Sequence, residues 1–121
     1  MERLSPQMRH QLAQFQQVQQ QAQVLMSQRQ QLEILLRETE KALEELQKLP
    51  EDAVVYKSIG TILAKSEKKK LEQELAEQKE TLDLRMKTIA RQEERTLQRF
   101  KEMREKLDQA MKEPSSTGAA S

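Results

Sequence analysis

His10 is the only histidine in the chain and cysteine is absent, so the side chains that most often carry acid–base, nucleophilic or thiolate chemistry are nearly missing. No Cys or carboxylate cluster surrounds His10, and neither a metal site nor a general base is expected there. Ser5 and Ser58 have no histidine partner in a nearby motif. With Gly60 and Gly118 as the only glycines, there is no glycine-rich loop to cradle a phosphate, which removes the main route to nucleotide hydrolysis. The chain is therefore not expected to be an enzyme or to hold a cofactor. What remains is the chemistry of contact: Leu, Met, Val and Phe side chains at regular intervals in a polar background, suited to being buried against another apolar surface.

The elements that position them are constrained by composition. The chain has 121 residues, of which 36% are hydrophobic and 34% charged, while aromatics reach only 2%. So little apolar area cannot close a compact core unless it lies in narrow stripes shared between helices. Scarcity of glycine and proline points the same way, because both break helices. The 21 basic and 20 acidic residues nearly cancel, giving no global pull toward nucleic acid or anionic lipid. The N-terminal MERLSPQMRHQLAQ lacks the apolar run of a signal peptide, and no stretch approaches the roughly 18 apolar residues of a membrane span. Without cysteine, a reducing, cytoplasmic setting is expected.

Ser5 is a good helix N-cap and Pro6 suits the first helical position. From there Met8, Phe15, Ala22, Arg29, Leu36 and Leu43 form one column spaced by seven, and Gln11, Val18, Leu25, Leu32, Thr39 and Leu46 form a second. This a/d seam predicts a helix over about 6–48, ended by Pro50. A second helix is predicted over about 67–112, before Pro114 and a disordered tail over 113–121. Its main column is Leu75, Leu82, Ile89, Thr96, Met103 and Ala110. The flanking column drifts, from Leu71, Gln78 and Arg85 to Met86, Glu93, Phe100 and Leu107. Each helix would be about 65 to 70 Å long. Equal lengths and a short connector predict an antiparallel pair in which Phe15 lies opposite about Phe100, and Met8 opposite about Leu107. Arg29, Gln11, Thr39 and Thr96 are polar intrusions in the seams that can fix register.

Between the helices, VVYKSIGTILAKS breaks the pattern. Val54 to Lys57 and Thr61 to Lys65 read as two short strands over about 54–65, with Gly60 supplying the freedom a tight turn needs. An isolated two-stranded hairpin is marginal in water and exposes unpaired edges. The concentration of Val54, Val55, Tyr56, Ile59, Ile62 and Leu63 around Gly60 therefore predicts that hairpins from several chains pair, making this the assembly element. The fold class is all-α dominated, a long antiparallel two-helix coiled coil with a short β-hairpin at its connecting end and a single domain over 1–121.

HQLAQFQQVQQQAQ (10–23), ETEKALEEL (38–46), VYKSIGTILAKS (55–66) and ETLDLRMKTIARQEERTLQRFKEM (80–103) together resemble the β-type subunits of archaeal prefoldin over nearly the whole chain. A single hairpin, rather than two, marks the β type. The resemblance implies an ATP-independent chaperone: two α-type and four β-type subunits join through their strands into a hexamer, and the coiled-coil tips hold unfolded client proteins for a group II chaperonin. It would place client contacts at Leu4, Met8, Leu12 and Phe15 from the first helix, and at Phe100, Met103, Leu107 and Met111 from the second. For Phe15 and Phe100, ordinary seam packing competes with that role. Leu4, Met8, Leu107 and Met111 lie where helices fray and where Met and Leu can repack against many surfaces.

The alternative is a purely structural coiled-coil adaptor, homo-oligomer or filament former, with the same fold and no affinity for unfolded chains. The Gln-rich QFQQVQQQAQ interleaves with seam positions and reads as the outer face of a helix. KSEKKK (65–70) lacks interleaved aromatics and reads as a solvated helix start, so neither nucleic acid nor membrane is expected as a partner.

Overall fold

The computed structural model describes residues 5–112. Element order is α1 (Pro6–Gln47), β1 (Val54–Ile59), β2 (Ile62–Glu67) and α2 (Lys68–Lys112). Leu4 and the tail over 113–121, expected to be disordered, lie outside the described residues.

The start of α1 follows from its cap. Ser5 Oγ accepts from the Met8 amide at 3.0 Å, which satisfies a donor that the first turn leaves without a partner, and the Ser5 carbonyl accepts the first helical bond, from Arg9, at 2.9 Å. At the other end, Lys48 and Leu49 donate to Glu45 and Leu46, tightening the last turn before Pro50 stops the helix. Burial in α1 follows both expected columns, with Val18, Leu32, Thr39 and Leu46 buried and Phe15, Ala22, Leu25, Leu36 and Leu43 half-buried.

The drifting column expected of α2 is corrected by the structure. Burial keeps a strict heptad through Glu72, Lys79, Met86, Glu93, Phe100 and Leu107, beside Leu75, Leu82, Ile89, Thr96, Met103 and Ala110. Arg85 is exposed, and Gln78 sits at the seam's edge. A helix that must follow the strict heptad of α1 is held near 3.5 residues per turn. The aliphatic stems of Lys79 and Glu72 cover the seam where apolar residues are lacking.

The chain divides into two compact units, one formed by residues up to Gln28 and from Ile89 onward, the other by Arg29–Thr88. In the first, Val18 is 1% exposed and is joined in burial by Ile89, Thr96 and Leu107. Phe15 meets Phe100 at 4.7 Å between ring centroids, tilted by 33°, which is the pairing that the antiparallel register requires. In the second, Leu32, Leu46, Val55 and Leu82 are buried. Thr39, 3% exposed, donates to the Leu35 carbonyl and accepts from Gln78 at 3.1 Å, so the polar intrusion is fully bonded and links the two helices. From Thr39 forward to Leu49 the partner on α2 moves back from Gln78 to Lys68, so within this unit the segments run antiparallel, and Glu40 pairs with Lys79 beside the Thr39–Gln78 bond.

The hairpin pairs Val55 with Ser66, Tyr56 with Lys65 and so on to Ile59 with Ile62. Only Gly60 and Thr61 remain for the turn; Gly60 has φ of 59° and no other described residue has a positive φ, as a type II′ turn requires. The strands are therefore longer than the sequence implied, and Thr61 belongs to the turn rather than to β2.

Lys68, at the start of α2, is 6% exposed. Its Nζ donates to the Leu49 carbonyl at 2.7 Å and lies 3.5 Å from Glu51 and 3.7 Å from Glu72. A lysine that read as part of a solvated run instead clamps the connector to the base of α2. Replacing it in Lys68→Met leaves a carbonyl without its donor, and the expected cost is about 1 to 3 kcal/mol, read as a lower urea midpoint with unchanged helicity in native buffer.

Candidate functional site

Two surfaces stand out, one in each unit. In the second unit the hairpin turns one face toward the helices at its base. Val55, Ala64 and Ser66 are covered there, and Lys57 on the same face reaches Glu74 of α2 at 2.8 Å. That hydrogen bond, with the attraction of the ammonium, lowers the pKa of the Glu74 carboxyl from its ordinary value. It also ties β1 to α2.

Beyond that base the apolar residues face water. Val54, Tyr56 and Leu63 lie on the far face of the sheet, and Ile59 and Ile62 close the hairpin next to the turn; all are exposed, Leu63 at 72%. Among the described residues the sheet has two strands. Both outer edges thus keep unpaired backbone donors and acceptors, and both faces carry unburied β-branched or aliphatic side chains. Of the seven residues assigned to assembly from the sequence, Val55 stands apart: it is 7% exposed, on the face of β1 from which Lys57 reaches α2, whereas the other six are open. Beside β1 a cavity of about 520 Å³ is floored by Leu71 and Leu75, with Tyr56 at its rim.

In the first unit, the side chains proposed from the sequence as contact residues fall into three groups. Met8, Leu12, Phe15, Phe100 and Met103 are half-buried, Leu107 is buried, and Met111 is 61% exposed. Leu107 departs from the expectation of incomplete burial because it occupies the Phe100 column and points into the seam. Leu4 lies outside the described residues. Sequence reasoning missed Val24, Met26 and Leu97, which are exposed on the same unit. The signal was present, since all three are large apolar residues at positions that neither heptad column uses.

Among the described residues no group of His, Cys, Asp and Glu is placed to hold a metal ion, and no helix is long and apolar enough to cross a membrane. Paired heptad helices joined through an apolar two-stranded hairpin define a coiled-coil subunit with surface left for other chains.

The comparisons are specific. The family model described as "Prefoldin subunit" matches residues 9–113. A prefoldin β subunit of Methanothrix thermoacetophila is 49% identical over 89% of this chain and 90% of its own. That of Archaeoglobus fulgidus is 51% identical, over 86% and 90%. The solved prefoldin β subunit from Thermococcus strain KS-1 superposes with a TM-score of 0.82, covering 91% of this chain and 96% of that one at 39% identity. The chain belongs to the prefoldin family of chaperone subunits, on the β side of that family. Membership implies assembly with other prefoldin subunits.

Proposed function

We propose that this chain is an ATP-independent holdase subunit that captures non-native polypeptide with the apolar side chains of its first unit. The exposed strands of the hairpin would join it to α-type partners, in a hexamer of two α and four β subunits in the cytoplasm, and held clients would pass to a group II chaperonin. The observation that carries this reading is the incomplete burial of Met8, Leu12 and Met103, with Met111 exposed, in a unit whose seam already supplies the packing it needs from Val18, Ile89 and Leu107. Flexible, polarisable methionines bind varied apolar partners without demanding one shape. Local opening of the helix ends costs little and would add Phe15, Phe100 and Leu107 to the contact. One such surface binds weakly. Several carried by one assembly act on a single client through effective concentration.

The test is light scattering from a chemically denatured protein diluted into buffer, with this chain alone and with an α-type partner. Scattering is expected to fall in proportion to added complex, without nucleotide. Undiminished scattering in the presence of assembled complex would leave a structural coiled-coil adaptor as the function.

A further inference from the structure

A groove of about 670 Å³ lies along one side of the seam in the first unit. α1 gives it Val24, Leu25 and four glutamines, and α2 gives it Gln92, Arg95, Thr96 and Arg99. Among the described residues that line it there is neither a carboxylate nor an aromatic ring. Its polar groups are unpaired: none of the glutamines and neither arginine makes a side-chain hydrogen bond or ion pair with another described residue. Thr96 is 8% exposed, yet its hydroxyl donates to nothing either, whereas Thr39 and Thr88 donate to the carbonyls of Leu35 and Leu84, four residues back. A hydroxyl so covered is costly to leave unbonded. The arginines too are placed at a cost. Arg91, Arg95 and Arg99 follow one another at four-residue intervals, where like charges destabilise a helix. Arg95 has Arg91, Gln92, Gln98 and Arg99 as its neighbours three and four residues away, so none is acidic. In the second unit, by contrast, Lys48, Lys57, Lys68 and Lys79 each have a carboxylate within 4.0 Å.

An extended polypeptide presents an amide donor and a carbonyl acceptor at most residues, and a glutamine side chain can meet both, whatever the sequence. Val24, 52% exposed, offers contact to one apolar side chain. Guanidinium groups take carboxylates through two parallel hydrogen bonds, a fit that an ammonium does not offer. We propose that this groove binds extended segments of non-native polypeptide in which an aspartate or glutamate adjoins a large apolar residue, with Arg95 and Arg99 as the residues that set the preference. This rests on the client-binding reading above and adds to it a substrate class. A nucleic-acid strand, the other common polyanion, would find no ring here on which to stack its bases. Discrimination arises from repulsion of basic segments as much as from attraction of acidic ones. At this exposure the preference amounts to about fivefold for one ion pair. It must shrink as ionic strength rises past the range where the Debye length is about 8 Å.

The experiment uses the full chain assembled with an α-type partner and three fluorescent peptides that share one apolar segment, flanked by glutamates, by glutamines or by lysines. Anisotropy should show the glutamate peptide binding about fivefold tighter than the glutamine peptide, and the lysine peptide weaker still. Arg95→Gln with Arg99→Gln should erase the ranking and leave the glutamine peptide's affinity unchanged. The thermal midpoint of that variant should be equal or higher, since a like-charge contact is removed. Lys101→Gln with Lys106→Gln takes the same charge from the same unit outside the groove and should keep the ranking. Val24→Gln should weaken all three peptides. An unchanged ranking in the arginine variant overturns the proposal. So does loss of the ranking in the lysine variant, which would reduce it to overall charge, or a changed oligomer mass in the arginine variant, which would make the groove an interface between subunits. Arginine-dependent binding of a single-stranded oligonucleotide, with no ranking among the peptides, overturns it in favour of a nucleic-acid site. Aggregation of a denatured client is followed in parallel. If the complex protects it but shows no charge ranking, this inference alone fails; if it protects nothing, the holdase reading fails and the inference with it.

Discussion

A chain carrying Ile59→Ser, Ile62→Ser and Leu63→Ser should keep its helical circular dichroism and lose its capacity to assemble with an α-type partner. All three side chains are exposed and none contributes to the chain's own interior, so the substitutions remove nothing that the isolated subunit needs. In an assembly that covers them, each is worth about 1.5 to 3 kcal/mol of apolar burial. Losing three therefore weakens association by about 1,000-fold or more, even after discounting for the imperfect conversion of area into affinity. Light scattering coupled to gel filtration, with an α-type partner present, reads the outcome directly. A complex of unchanged mass would show that strand faces are not the joint. Val55→Ser is the informative contrast: Val55 is packed at the hairpin's base, so its loss should lower the stability of the subunit itself and not only its assembly.

The same contrast shows what was legible in the sequence. Heptad spacing located both helices and the Phe15–Phe100 contact, because a seam is a one-dimensional pattern that survives projection onto the chain. Gly60 located the turn, since a positive φ is a local demand. Three features were not local. Val55 and Ile59 have the same kind of side chain in the same strand, and only the packing of the hairpin's base against α2 separates the buried one from the exposed one. Lys68 looks like its neighbours Lys69 and Lys70 until the connector folds back and brings the Leu49 carbonyl to 2.7 Å. The heptad of α2 looked imperfect because Lys79 and Glu72 occupy seam positions with charged head groups, and sequence patterning does not count their aliphatic stems. Met26 and Leu97 went unassigned for a related reason: once a helix has a complete seam, its remaining apolar residues have no pattern to belong to.

Replacing Met8, Leu12, Met103 and Met111 together by glutamine should leave the assembly intact and reduce protection of an aggregating client by about tenfold or more. Glutamine is as good a helix former as methionine and similar in length, so the substitutions change surface chemistry with little effect on helix propensity. None of the four is fully buried. The interior of this unit stays in the hands of Val18, Ile89, Thr96 and Leu107, which are buried and untouched, and the Phe15–Phe100 contact persists. Partial burial of Met8, Leu12 and Met103 still supplies some packing, and a loss of about 1 to 2 kcal/mol in the stability of this unit is expected from it. That loss opens the helix ends more often, which by itself would expose Phe15 and Phe100 and favour capture. Binding and stability therefore push in opposite directions in this variant. If the methionines and leucine contact clients, protection falls despite easier opening. If opening alone governs capture, with the aromatic pair as the adhesive, protection rises. Titrating complex against a fixed amount of denatured client, with the mass of the complex checked in parallel, separates the two by the sign of the change.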